Sequence, residues 1–291
     1  MIIVRVSGGL GNQLFQVATG RALSTIHQQP LVIDDRGFQA DGFRKFCLPL
    51  FMVDILLPAD SMAVQQILPP SRKRWVAFLK WRLTHGRSLR YIREKSLDFN
   101  PEILNAGPHC YLHGYWQSQQ YFQHAAQQIR RDLTLRVGPT GENPEWLKKI
   151  TSGVSVSVHV RRGDYVLDPK ASRVHGTCSV EYYRAAAAEI AGRISDTPTF
   201  FVFSDDPRWV RENLHLPFPT QYMSHNDDHH NYEDLRLMAA CSHHIIANSS
   251  FSWWGAWLGG NPDRIVIAPK TWFNDPSRSD RSLVPAEWVR L

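Results

Sequence analysis

Apolar positions along the chain follow two rhythms. Ile2-Ile3-Val4-Arg5-Val6 is a short β-type run, and Ser7-Gly8-Gly9-Leu10-Gly11 after it is a glycine-rich turn. Leu14, Ala18, Ala22 and Ile26 then recur at four-residue spacing, which puts them on one helix face. Pro30-Leu31-Val32-Ile33 predicts a second strand, ending in Asp34-Asp35. Further on, Val154, Val156, Val158 and Val160 alternate with Ser155, Ser157 and His159, the period of a strand. Ser179 predicts a cap for a helix through Tyr182, Ala186 and Ile190. Thr199–Phe203 reads as a strand, with Asp206-Pro207 as N-cap and first turn of the next helix. Tyr232–Ala240 and Phe251–Leu258 read as helices, His244–Ala247 and Arg264–Ala268 as strands. Strands alternating with helices predict an α/β fold with parallel sheet. Residues 36–110 do not fall into this rhythm.

A length of 291 residues suits two domains at about 100–200 residues each. The Gly- and Pro-rich stretch Gly138-Pro139-Thr140-Gly141-Glu142-Asn143-Pro144 predicts a boundary. The expected domains are 1–140 and 150–291, with the tail 270–291 packing back on the first. No stretch approaches the ~20 apolar residues of a membrane span, and no basic region precedes the first strand. Cys47, Cys110, Cys178 and Cys241 form no CxxC pair, which argues against a metal centre and a dense disulfide framework. The expected location is the cytoplasm, with peripheral contact at the inner membrane face as an additional expectation.

The net charge of +6 suits an anionic ligand such as a nucleotide. A nucleic-acid partner is not expected, because no dense basic stripe with base-stacking aromatics occurs. Between Pro69 and Lys95 there are nine basic residues and one acid, Glu94, a local excess larger than that of the whole chain. Trp75, Phe78, Leu79, Trp81 and Leu83 interleave with them. This segment reads as a basic amphipathic helix on an anionic membrane or lining an acceptor cleft. The blander alternative is a surface helix with a solvated charged face, the commoner fate of charge runs.

Ligands of open α/β sheets bind beyond the carboxyl ends of strands, and three polar clusters fall there. In His159-Val160-Arg161-Arg162-Gly163-Asp164-Tyr165 two arginines offer fixed donors that match phosphate oxygens, with ion pairing to Asp164 as the structural alternative. In Ser204-Asp205-Asp206 a carboxylate could accept from guanine or hold Mg²⁺, while Asp206 caps a helix. In Asn248-Ser249-Ser250-Phe251-Ser252-Trp253-Trp254-Gly255-Ala256-Trp257, serines at a helix start suit a phosphate. Trp253 and Trp257 read as one buried face, leaving Trp254 to point elsewhere and meet sugar. Gly8-Gly9-Leu10-Gly11-Asn12-Gln13 is close to a dinucleotide loop but departs from G-x-G-x-x-G, since Leu14 stands at the third glycine position. Asn12 and Gln13 instead offer neutral hydrogen-bonding groups suited to sugar hydroxyls or a phosphate oxygen.

The combination GGLGNQLFQ (8–16), HVRRGDY (159–165), FSDD (203–206) and IIANSSFSWWGAWL (245–258) resembles the α-1,2-fucosyltransferases, inverting glycosyltransferase family 11. The resemblance runs through nearly the whole chain. It implies a GT-B-type architecture, two Rossmann-like domains with parallel sheets facing a cleft. It implies GDP-fucose as donor substrate, held mainly by the second half, and a β-galactoside as acceptor. Arg161 would grip the diphosphate and, with Asn12 and Gln13 from the first half, make the catalytic set. His159 and Arg162 would support the arginine loop, and Ser204 and Asp205 would serve the nucleotide, Asp205 at guanine. Asn248, Ser249, Ser250 and Phe251 would bind phosphate and flank the nucleotide. No metal and no cofactor is expected. Asp34, Asp35 and the histidines are candidate bases. Another nucleotide-sugar transferase, or a binder of sugar nucleotides or glycans without turnover, are the alternatives.

Overall fold

The computed structural model of the protein describes residues 1–40, 44–58, 62–70, 75–85 and 88–291. It divides into two compact units, Met1–Val137 and Gly138–Leu291.

The first unit runs β1 (Ile2–Arg5), α1 (Leu10–His27), β2 (Leu31–Asp34), α2 (Arg36–Ala40), α3 (Met62–Ile67), α4 (Trp75–His85), β3 (Arg90–Arg93), β4 (Cys110–His113) and α5 (Ala126–Asp132). Its four strands are all parallel, in the order β2-β1-β4-β3. The chain starts in the middle and returns to β1 from the other side with β4. The loops after β1 and β4 lead into segments that pack on each other, Phe15 of α1 lying 6.2 Å from Phe122 and Arg21 pairing with Asp132 at 2.6 Å. Gly8 sits in the first of these loops at φ 83, a left-handed conformation that favours glycine.

The first element of the second unit is α6 (Asn143–Thr151), so the stretch read as a boundary already contains the first two residues of a helix. It continues with β5 (Ser155–Val160), α7 (Gly163–Leu167), α8 (Pro169–His175), α9 (Val180–Arg193), β6 (Thr199–Ser204) and α10 (Pro207–Asn213). Then come β7 (Thr220–Tyr222), α11 (Asn231–Ala240), β8 (His243–Ile245), α12 (Ser250–Leu258), β9 (Val266–Ala268) and β10 (Val289–Arg290). The six strands are parallel, in the order β10-β9-β8-β5-β6-β7. Counted from β5 this is 3-2-1-4-5-6, the order of doubly wound dinucleotide-binding sheets, with its switch point between β5 and β8.

Both faces of this sheet are covered. Val156, Val158, Phe200 and Val202 pack with Tyr183, Ala186, Ala187 and Ile190 of α9. Phe201 and Phe203 pack on the other side with Ile150 of α6 and Leu237 and Met238 of α11. All six residues of β5 are buried as a result. Its serines thus meet protein rather than water, and Ser157 Oγ lies 2.8 Å from His244 Nδ1 on β8.

Helix α12 is apolar all round because it is enclosed on every side. Trp253 and Trp257 stack at 6.1 Å and 12°, as their spacing predicts. Trp254, read as available to sugar, is instead fully buried and stands edge-on to both, at 5.0 and 5.2 Å. The tail 270–291, expected to return to the first half, is fastened to the second. Val289 pairs with Ile267, Trp288 packs on Trp253 at 5.3 Å, and Trp253 Nε1 donates to Leu283 O at 2.9 Å.

Candidate functional site

The switch point of the second sheet brings the loop after β5 beside the loop after β8. Asp205, at the end of β6, ties down the first of these. Its Oδ2 lies 3.0 Å from Arg161 Nη1, and its Oδ1 accepts from the Arg162 backbone N–H at 2.8 Å. Arg162 reaches Asp206 at 3.3 Å and lies over the Trp209 ring at 3.7 Å. The alternative pairing of these arginines with Asp164 lies outside the described side chains. Gly163 passes so close to Asp205 that a Cβ would overlap the carboxylate. Asp206 also caps α10, accepting from Trp209 N at 3.1 Å, and Ser204 Oγ accepts from Asp206 N at 3.0 Å.

The second loop is equally fixed. Asn248 is buried, and its Nδ2 donates to His175 O at 2.8 Å and Trp272 O at 3.1 Å. Asn248 therefore stitches three segments together rather than presenting its amide to solvent. Ser249 caps α12, its Oγ accepting from Phe251 N at 3.3 Å, and Ser250 opens the helix. The N–H groups of a first helical turn are a ready anion-binding feature.

Two contacts join the loops. Tyr165 Oη donates to Asn248 O at 3.4 Å, and the His159 ring lies 5.5 Å from that of Phe251. Tyr165 also stacks on His175 at 4.7 Å and 3°, with the Arg161 guanidinium 5.5 Å from its ring. His159 is buried with its Nδ1 unpaired. Burial, and then the nearby Arg161 charge, push its pKa down to about 3, so the ring is neutral at physiological pH. A neutral ring can donate or accept but brings no charge to a phosphate. His175 and Trp209 were not singled out from the sequence. Their partners are 10 and 47 residues away in the chain, and nothing local in the sequence marks such pairs.

In the first unit the start of α1 and the segment after β4 bring Asn12 and Gln117 together. Gln117 Nε2 donates to Asn12 Oδ1 at 2.8 Å. Gln13, expected at the reacting centre, is fully buried. Its Nε2 donates to Gly8 O and Lys45 O at 3.1 and 2.7 Å, and its Oε1 accepts from Cys47 N at 2.9 Å. The side chain thereby locks the glycine turn to the 45–47 segment. Glu94 accepts from Tyr115 N and Trp116 N at 2.7 and 2.8 Å, and Trp116 is held at φ 58. Burial raises the Glu94 pKa against those two hydrogen bonds. Asp34 is unsuited to act as a base. Burial alone would raise its pKa, but Arg36, at 2.7 and 2.8 Å, and Tyr111, at 2.6 Å, hold it below the ordinary carboxylate range.

Among the described residues no three His, Cys, Asp or Glu side chains cluster to hold a metal ion. No helix among them is long and apolar enough to cross a membrane.

Residues 1–291 match the profile of glycosyl transferase family 11. The chain belongs to glycosyl transferase family 11. An α-1,2-colitosyltransferase of Escherichia coli is 31% identical over 100% of this chain and 99% of its own length. The O-antigen biosynthesis glycosyltransferase WbnK of Escherichia coli is 32% identical, with 98% and 99% covered. Galactoside α-(1,2)-fucosyltransferase 1 of Saimiri sciureus is 27% identical, covering 98% of this chain and 73% of its own. The protein is therefore a glycosyltransferase, and the motifs of this family-11 chain lie at the carboxyl ends of its two parallel sheets.

Proposed function

We propose that this family-11 enzyme transfers L-fucose from GDP-fucose to O-2 of a terminal β-galactoside, with inversion at the fucose anomeric carbon. The observation that carries the reading is the junction of the Arg161–Arg162 loop with the start of α12 at the β5/β8 switch point. Cations on one side and helix N–H groups on the other suit a diphosphate. The galactoside and fucosyl specificities draw on the relative from Saimiri sciureus.

In this reading the transition state is oxocarbenium-like, and negative charge grows on the departing GDP. Arg161 meets that charge. His159 and Arg162 support the loop, and Ser249, Ser250 and Phe251 bind phosphate and flank the nucleotide. Asn248 acts through the loop it stitches, and Ser204 through Asp206. Asp205 holds the arginines in place while its carboxylate remains the candidate for guanine. In the first unit, Asn12 with Gln117 serves the acceptor, and Gln13 acts by positioning Asn12. No metal or cofactor takes part, and the enzyme works in the cytoplasm.

The relatives named for colitosyl transfer and O-antigen biosynthesis favour one second reading, transfer of colitose to the same hydroxyl within a surface-polysaccharide precursor. Incubation with GDP-fucose, GDP-colitose and UDP-galactose against a panel of soluble β-galactosides, with linkage analysis of the product, separates the two. The first reading expects an α-1,2-fucosyl product. Preference for GDP-colitose supports the second, and transfer only from a UDP-sugar refutes both.

A further inference from the structure

Helix α4 is apolar on two opposite faces. Its inner face is packed: Trp81 is buried, stacks with Phe78 and His85 at 5.8 and 5.9 Å, and donates its Nε1 hydrogen to Ile67 O at 2.9 Å. Phe78 meets the edge of Tyr91 at 5.1 Å. At about 100° per residue, Trp75, Leu79, Leu83 and Val76 fall within one arc of about 100° on the other side. They are 66%, 48%, 85% and 61% exposed. A helix on the surface of a globular unit ordinarily turns polar residues outward there.

Among the described residues of α4, the exposed charges that border this stripe are of one sign. Lys80 and Arg82 border it on either side, and both are exposed. Arg72, Lys73 and Arg74 immediately precede the helix and Arg87 follows it, all outside the described residues. Arg90, Arg93 and Lys95 come next and are exposed. The one acid of residues 69–95, Glu94, accepts the backbone N–H groups of Tyr115 and Trp116.

We propose that the outer face of α4 docks the enzyme on an anionic lipid bilayer. The charge pattern selects this occupant. A second copy of the chain would bring the same cationic patch against itself, and a neutral saccharide would leave the cations unmatched. A bilayer bearing acidic headgroups satisfies both features at once. The stripe of Trp75, Leu79 and Leu83 enters the headgroup boundary, where tryptophan is favoured, while the flanking Lys and Arg meet phosphates. The electrostatic part reaches only about 8 Å at physiological ionic strength, so binding weakens as salt rises. This goes beyond the transfer reaction and does not depend on which sugar is moved.

The test is co-sedimentation of the full chain with vesicles of phosphatidylcholine alone and of phosphatidylcholine and phosphatidylglycerol in equal parts, at low and high salt. The comparison protein carries Trp75→Ser, Leu79→Ser and Leu83→Ser, all at exposed positions. The expected result is at least tenfold tighter binding to the acidic vesicles, weakened by salt, and at least a tenfold loss in the variant. The variant keeps wild-type circular dichroism and wild-type turnover of a soluble galactoside. No preference for acidic vesicles, or equal binding by the variant, overturns the proposal. So does a wild-type dimer that the variant dissolves, which would assign the stripe to self-association. Vesicle binding is read without donor or acceptor, so a failure of fucosyl transfer leaves its outcome intact.

Discussion

Arg161 and Asp205 form an ion pair at 3.0 Å, and the same carboxylate receives the backbone N–H of Arg162 at 2.8 Å. One acid thus sets both the side chain and the backbone of the loop that we assign to the diphosphate. Two roles for Asp205 can be told apart by nucleotide selectivity. As a loop tie, Asp205→Ala lowers affinity for GDP, UDP and ADP alike. As a guanine acceptor, it lowers affinity for GDP alone. The geometry leads us to expect the uniform loss, about ten- to a hundredfold, the worth of one or two charge-assisted hydrogen bonds. Competition calorimetry with the three nucleotides reads the difference.

Gly163→Ala separates stability from activity. Position 163 is the first residue of the five-residue α7, outside the helix interior where glycine is penalised, so alanine changes helix propensity little there. The added Cβ nevertheless overlaps the Asp205 carboxylate, which must turn away from Arg161. The expected outcome is a melting temperature within a few degrees of wild type and turnover reduced at least tenfold. Turnover at the wild-type level would mean that the Asp205–Arg161 pair is dispensable. Thermal melts and initial rates on one preparation give both numbers.

Gln13→Ala is expected to act through the fold. Its amide makes three hydrogen bonds in a fully buried place, and removing it leaves the Cys47 N–H and two carbonyls without that partner. A loss of about 2–4 kcal/mol in unfolding free energy is expected from leaving such groups unsatisfied. Asn12→Ala is expected to cost less stability and more activity. Urea unfolding of the two variants checks the contrast, and the reverse order would return Gln13 to the reacting centre.

The pH dependence of stability carries a signature of Asp234. Burial pushes its pKa up to about 6, with Asn226 opposing the rise and Glu233 adding to it. The folded pKa lies above the unfolded value of 3.8, so the folded state holds the proton more tightly. Stability is lost as pH rises from about 4 to 6, and this group changes nothing further above that. Asp234→Asn keeps the 2.7 Å bond from Asn226 to Oδ1 and removes the charge. The variant should be more stable than wild type at pH 8 by on the order of 2 kcal/mol, with the gain gone by pH 4. Chemical denaturation at the two pH values decides it, and an equal gain at both would contradict the assignment.

Much of the second unit was legible because its strands and helices are long or strongly patterned. Val154–Val160 predicted β5, and Ser179 and Asp206 do cap α9 and α10. The alternation in β5 implied a polar face, yet a parallel sheet covered on both sides buries Ser157 and His159 as well. Trp254 escaped for a related reason: helical spacing names the residues that share a face, but it does not say how many faces are enclosed. Residues 36–110 resisted reading because β3 is Arg-Tyr-Ile-Arg and β4 ends in His113, too short and too polar to stand out. At the proposed site, the arginines and serines stand out in the sequence as residue types suited to phosphate. Their partner Asp205 lies 43 residues from Arg162, and only the β5–β6 pairing brings them together.

In the proposed site the loops after β5 and β8 hold a guanosine diphosphate through Arg161. Calorimetric titration of GDP into the wild type and Arg161→Ala, the latter shown to be folded by circular dichroism, tests it most directly. Parallel assays should show turnover reduced about a hundred- to a thousandfold, the scale of removing one donor from a charge-stabilising site. GDP is expected to bind the wild type stoichiometrically and the variant at least tenfold more weakly. Equal GDP affinity in the two proteins, or a wild type indifferent to GDP, would contradict it.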